Sequence, residues 1–219
     1  MSDVIVIQNF INGKFEDTKS YIDSFNPATN EVNAKIPDSD ENDVNNAVKA
    51  AKTAFLKWSA LPDIERARYM TKIADIIESR LEDFAIAESK DQGKPLWLSR
   101  TIEIPRAVEN FRFFAASILH SREDSTHHPS VDVLSYTTRQ PVGVAALISP
   151  WNLPLYLLTW KIAPCLAFGC TCVCKPSEFT SVTASMLCQV FNDAERNDNL
   201  TASVEKQKFL AGKQKEENF

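Results

Sequence analysis

The sequence predicts an α/β fold in which short N-terminal strands and a run of helices lead into the start of a parallel sheet. Three observations predict it. Apolar residues recur at helical spacing from Val44 to Ile118. From residue 131 the pattern changes to short, nearly continuous apolar runs, and the run 142–149 suits a strand buried on both faces of a parallel sheet. A Pro-Trp-Asn turn, an apolar segment and the run Cys-Thr-Cys-Val-Cys-Lys then complete one βαβ unit, whose crossover should be right-handed.

The first 36 residues read as short strands. Asn12-Gly13 between apolar runs is a two-residue hairpin turn, and Asn26-Pro27 opens a second turn ahead of Val32 and Ile36. Asp40 can cap a helix with the stripe Val44, Ala47, Val48, Ala51, Ala54, Phe55 and Trp58. Pro62 suits the first turn of the next helix, whose face runs through Ile64, Ala67, Met70, Ile73, Ala74, Ile77 and Leu81. It continues to Gly93 with a break near Ser79, and a further helical region, restarted at Pro105, spans 97–119. Strand character appears at Val131, Val133 and 136–139. After the turn at 150–152, a helix is expected over 154–168 with Gly169 as its terminator, then a strand over 170–175 and a helix over 178–193. Residues after Ala194 are polar without a stripe and read as a mobile or loosely helical tail.

Composition narrows the function. With 219 residues, 44% of them hydrophobic, the chain is long enough for one domain or one and a half around a real core. A net charge of -5, from 24 Lys+Arg against 29 Asp+Glu, argues against a nucleic-acid partner. Only 5 glycines leave little for a phosphate loop. The start, MSDVIVIQNF, has no basic n-region, so no secretory signal is expected. An odd set of 5 cysteines, four within 165–174, fits a reducing, cytoplasmic location better than a secreted disulfide framework. The long apolar stretch 153–174 carries Lys161, Pro154 and Pro164, so it reads as buried helix and strand, with no membrane association.

Ligands of an open α/β sheet gather beyond the carboxyl ends of its strands. Those ends are here Ser149-Pro150-Trp151-Asn152 and Lys175-Pro176-Ser177-Glu178. Lys175 can donate to hydroxyls or phosphate, Glu178 can accept from a ribose diol, and Asn152 offers a neutral N–H to a developing oxyanion. The same residues also fit plain structural roles: a turn asparagine, a helix N-terminal charge and a solvated strand end. Cys170, Cys172 and Cys174 share a strand face at intervals of about 6.6 Å. Zinc wants its thiolates roughly 3.8 Å apart, so these read as buried small side chains rather than ligands. His120, His127 and His128 read as solvated loop residues. Arg100, Arg106 and Arg112 lie on one helical region, where any could be a surface charge or an anchor for a substrate carboxylate.

The segments LISPWNLPLYLLTWKIAP and CKPSEFTS, with FINGKF, NPAT, ESKDQGKP and YTTRQPVGV upstream, resemble the NAD(P)-dependent aldehyde dehydrogenase superfamily. The resemblance runs from about residue 8 to Ala194, and SKDQGK and IPRAVENFRFFA are most similar to a branch that oxidises muconate semialdehydes. It implies an incomplete cofactor domain: hairpins and helices over 1–128, an oligomerisation-arm strand over 129–141, the first βαβ unit over 142–194 and a non-family polar tail over 195–219. By the same resemblance Asn152 is the oxyanion-hole amide, Lys175 and Glu178 contact the adenosine ribose of NAD, and Ile148, Ser149, Pro150 and Trp151 line the cofactor channel. Arg106 falls where this branch would grip a substrate carboxylate. Family members carry the glycine loop, the general-base Glu and the nucleophilic Cys beyond the last shared motif, and no cysteine here matches that nucleophile. The resemblance therefore implies a truncated, inactive chain. Its partners would be an aldehyde in the whole enzyme and, through the arm, a homo- or hetero-oligomer with a full-length homologue.

Overall fold

The computed structural model describes residues 4–196 and 208–209. In chain order it contains β1 (Ile5–Val6), β2 (Asn9–Ile11), β3 (Lys14–Glu16), β4 (Tyr21–Asn26), β5 (Glu31–Pro37), α1 (Glu41–Trp58), α2 (Asp63–Ser79) and α3 (Leu81–Gln92). A single turn α4 (Leu96–Leu98), a π-helical turn (Ser99–Glu103) and α5 (Ile104–Leu119) follow. The remainder is β6 (Ser125–His128), β7 (Val133–Tyr136), β8 (Val144–Ile148), α6 (Pro154–Ala167), β9 (Thr171–Lys175), α7 (Val182–Arg196) and β10 (Lys208–Phe209). The α/β class holds.

Local chemistry sets the early boundaries. Asn12 and Gly13 both have positive φ, 53° and 67°, which is the backbone that a two-residue hairpin between β2 and β3 requires. Asp40 caps α1 through a capping box: its Oδ1 accepts from the Asn42 and Asp43 N–H groups, and Asp43 accepts from the Asp40 N–H. α3 ends at Gly93, φ 83°, whose missing side chain matters twice. The conformation is left-handed, and a Cβ there would lie 2.5 Å from Pro27 Cγ. The NPAT turn and the end of α3 are thereby brought into contact.

The core lies between the helices and the sheet. α2, α5 and α6 bury Met70, Ile73, Ile77, Phe111, Leu155 and Leu158 together. Two polar side chains finish α6: the Trp58 indole N–H donates to the Leu166 carbonyl at 3.0 Å, and Arg66 Nε donates to that of Ala167 at 2.9 Å. Carbonyls at a helix end lack donors one turn on, and these side chains add to the Gly169 N–H that the Leu166 carbonyl also accepts. β8 and β9 pair in parallel from Val144↔Thr171 to Ile148↔Lys175, with α6 as the crossover. The five-stranded sheet has the order β3-β2-β10-β9-β8; β1-β5-β4 form a second sheet and β6-β7 a separate hairpin.

Several expectations need correction. β8 is not buried on both faces: none of its residues is fully buried, and Ile148 is 59% exposed. It is an edge strand, with β9 its sole partner among the described residues. His127 and His128 lie in an exposed strand, not a loop, and the hairpin ends at Tyr136, not Arg139. α7 starts at Val182, four residues later than expected, because its first N–H is capped by Asp91, a residue distant in sequence. Within the segment expected to be mobile or loosely helical, Lys208–Phe209 form β10, which is parallel to β9; the rest of 197–219 lies outside the described residues.

Candidate active site

The parallel register of β8 and β9 places both strand ends side by side, and the Ser149 N–H donates to the Lys175 carbonyl at 3.1 Å. The chain leaves β8 through Pro150, Trp151 and Asn152, all exposed, and enters α6 at Pro154, a residue suited to a helix start because it needs no N–H partner there. The Asn152 side chain has no hydrogen bond within the described residues, so its amide is free to donate. The Ser149 hydroxyl is buried and, among the described residues, has no hydrogen-bond partner.

At the end of β9, Lys175 Nζ lies 3.1 Å from Glu178 Oε2, with each side chain about a quarter exposed. Lys175 also donates to the Pro176 carbonyl at 3.4 Å. Glu178 sits in a turn rather than at a helix start. Ser177 shapes that turn: its carbonyl accepts from the Thr180 N–H and the Ser181 hydroxyl, and its own hydroxyl accepts from the Phe179 N–H. A cation and a carboxylate so placed offer the donor and the acceptor that a vicinal diol needs. They suit the ribose of a dinucleotide.

Arg106 is on α5, exposed, with its guanidinium 5.8 Å from the centroid of the Tyr156 ring, one helical turn beyond Asn152. It borders an open groove of about 500 Å³ with Asn110, Arg112, Phe113 and Trp160. The neighbouring arginines are engaged. Arg100 forms a two-pronged contact with Glu82, and Arg112 bridges Asp75 and Glu78. Arg106 has no ion pair among the described residues, unlike the other two, although Glu109 lines the same groove. Asn110 steadies the same wall, donating to the Tyr156 carbonyl and the Thr159 hydroxyl.

Sequence reasoning missed the residues beneath these turns. Glu88, Asp91 and Lys94 of the ESKDQGKP segment, with Glu103, are all buried. Glu88 accepts from the Leu155 N–H at the start of α6 and from the Thr183 hydroxyl on α7. Asp91 accepts from the Val182 N–H and from Asn33. Burial pushes the Glu88 carboxyl up to about 7 and that of Asp91 up to about 6, against hydrogen bonds that favour ionisation. The available signal was the family motif itself, whose charges look like an ordinary solvated helix end.

Three of the cysteines have raised thiols. All five are free thiols. Cys165 is raised by its hydrogen bond with Cys172 and by burial, and Cys188 by burial. Cys172, lowered by Cys165, is raised further by Cys174 and by burial. The Cys172 and Cys174 sulfurs lie 3.7 Å apart, much closer than strand spacing predicts, because the side chains lean together. No group of three or more His, Cys, Asp or Glu among the described residues is arranged to hold a metal. Nor is any described helix long and apolar enough to cross a membrane.

Parallel strands with an exposed asparagine turn and a Lys–Glu pair at their carboxyl ends belong to an α/β protein, and a profile of the aldehyde dehydrogenase family matches residues 15–214. The chain belongs to the aldehyde dehydrogenase family. The match takes in most of the segment that the motifs alone leave outside it. Among relatives, it is 56% identical over 190 residues to the 2-aminomuconic semialdehyde dehydrogenase of Danio rerio and 54% identical over 191 residues to that of Homo sapiens. Both alignments cover 87% of this chain, which spans 39% of the length of these curated relatives. The NAD+ complex of an aldehyde dehydrogenase from Bacillus cereus superposes with a TM-score of 0.87 at 35% identity, over 94% of this chain and 42% of that one.

Proposed function

We propose that these residues form the ribose-holding and oxyanion-donating part of an NAD-dependent oxidation of a 2-aminomuconate-semialdehyde-type aldehyde to its acid, a step of tryptophan catabolism through kynurenine. One observation carries this reading: the free Asn152 amide and the Lys175–Glu178 pair stand at the same end of two directly hydrogen-bonded parallel strands. Lys175 and Glu178 hold a ribose diol, and Ile148 to Trp151 face the cofactor. Bound NAD accepts the hydride. Asn152 Nδ2–H donates to the aldehyde oxygen as negative charge builds there, without itself titrating. Arg106 holds the carboxylate of the substrate. The names of the relatives from Danio rerio and Homo sapiens support this substrate class. Five free thiols agree with a cytoplasmic, reducing setting.

The 219 residues do not turn over aldehydes by themselves. Such oxidation needs a nucleophilic thiolate and a base that activates water. The raised thiols of Cys165, Cys172 and Cys188 are the opposite of what a nucleophile requires. With NAD near 100-fold above its dissociation constant, the melting temperature should rise, reflecting about 2.7 kcal/mol, and Lys175→Ala should abolish the rise. No NADH should form with succinic semialdehyde as probe. Absence of the thermal shift overturns the cofactor role, and NADH formation abolished by Asn152→Ala overturns the inactivity.

A second reading is a non-catalytic subunit that pairs with a full-length relative. It rests on the β6-β7 hairpin, where Val131, Leu134 and Tyr136 are 67%, 62% and 69% exposed. Co-expression with a tagged full-length relative tests it, since failure to co-purify counts against an arm-mediated partnership.

A further inference from the structure

Asn152 lies in an exposed turn, yet the group beneath it is not surface-like. The Lys94 side chain is 5% exposed and makes a close ion pair with Glu103, itself 3% exposed. Its ammonium lies 3.9 Å from Glu88 Oε1 and donates to the Asn152 main-chain carbonyl at 3.4 Å. Glu88 reaches the Leu155 N–H with one oxygen, at 3.1 Å, and the Thr183 hydroxyl with the other, at 2.6 Å. A single ammonium thus joins two buried carboxylates to the backbone of the turn, while one of those carboxylates ties the starts of α6 and α7 together.

A lysine is an unfavourable occupant of this place if its role is only to fill space. It stands near the N-terminal end of α6, where the helix dipole favours negative charge. Burying its ammonium demands compensation, which Glu103 supplies as a close ion pair, with the Glu88 carboxyl group 3.9 Å away on its other side. With the two carboxylates fixed, the spare N–H of the ammonium is directed at the main chain of Asn152, and the Asn152 side chain is left unengaged. An oxyanion donor works by being held in position before charge develops, and a displacement of about 1 Å is costly.

We infer that Lys94, clamped between Glu88 and Glu103, is the positioning residue of the oxyanion turn, fixing Asn152 through its carbonyl so that the side-chain amide stays free and aimed. The inference rests on the reading of Asn152 as the oxyanion donor. Lys94 does not touch the reacting atoms; it acts through the backbone of the turn.

Hydrogen exchange on the intact 219-residue chain tests it without requiring turnover. Lys94→Gln should speed exchange of the Leu155 amide, held by Glu88, and of the Leu157 amide, held by the Leu153 carbonyl, about tenfold, the effect of losing a hydrogen bond to a charged group. Amides in the middle of α2 and α5 should keep their rates. Lys94→Arg, which retains the charge and the donors, should restore the turn, and the Asn152 carbonyl ¹³C resonance should shift in the Gln variant alone. Unchanged exchange at the turn, or equal acceleration across α2 and α5, overturns the proposal. If the Gln variant does not fold, Glu103→Gln carries the test, since it removes the nearest anchor of Lys94; unchanged turn exchange there is equally fatal. Failure of the oxyanion reading shows differently: the Asn152 side-chain amide resonances would not move on titration with succinic semialdehyde, while the clamp results stand.

Discussion

Gly93 shows how much one position can demand. Its φ of 83° is strained for any residue with a Cβ, and the Pro27 ring occupies the place where that Cβ would go. Gly93→Ala should lower unfolding free energy by roughly 2 kcal/mol or more, read from urea denaturation at constant m. The damage should also loosen Lys94, the next residue but one from Gln92 at the end of α3. At the ligand end, Glu178→Gln keeps the shape of its turn but removes the charge-assisted acceptor. About tenfold weaker binding of NAD is expected, by calorimetric titration, with the melting temperature of the free chain little changed.

At the level of elements, the starts of α6 and α7 depend on carboxylates that burial keeps unusually easy to protonate. Glu88 and Asp91 have folded-state values of about 7 and about 6, above the ordinary 4.5 and 3.8. The folded chain therefore holds protons that the unfolded chain releases. Their contribution is fully present below pH ~4 and is lost as pH rises through about 6 to 7, by a few kcal/mol for each. Asp40 acts the other way: its hydrogen bond from Lys19 and its capping contacts hold it down at about 2, so its contribution fades as pH falls from about 4. Thermal melting should thus be highest near pH 4, decline from there to about pH 7 and level off above it, and Glu88→Gln with Asp91→Asn should flatten the decline.

These same elements mark the limit of what the residues disclose in order. Asn12-Gly13, Asp40, Gly93 and Gly169 were legible because each acts on its immediate neighbours through backbone conformation or a short cap. So was the βαβ unit, because its apolar runs and its turn are contiguous. The start of α7 was not, since Asp91, which caps Val182, is far away in sequence and near only in the fold. The clamp beneath Asn152 was hidden for the same reason: burial of Lys94 and Glu88 arises from α6 and α7 closing over them. Among the arginines, helical position alone offered three candidates and the resemblance pointed to Arg106; the ion pairs of Arg100 and Arg112 are visible only in the fold.

For the whole molecule, the free side of β8 governs behaviour in solution. A strand with unpaired backbone groups and partly exposed apolar residues invites pairing with another chain. Ala146 is exposed on β8, two residues before Ile148. Ala146→Lys should reduce concentration-dependent association in sedimentation velocity. If the association instead follows the β6-β7 hairpin, this variant will sediment as the wild type does.

The carboxylates of Glu88 and Asp91 each occupy one of the N–H groups that α6 and α7 would otherwise turn towards an anion. Both helix starts thus carry an internal acidic partner that a visiting anion would meet. Pyrophosphate and sulfate should then be poor competitors for this chain, whereas adenosine, carrying the ribose without the phosphates, should compete well. A displacement series of adenosine, AMP and pyrophosphate against NAD would expose that preference as selectivity for the sugar over the charge it bears.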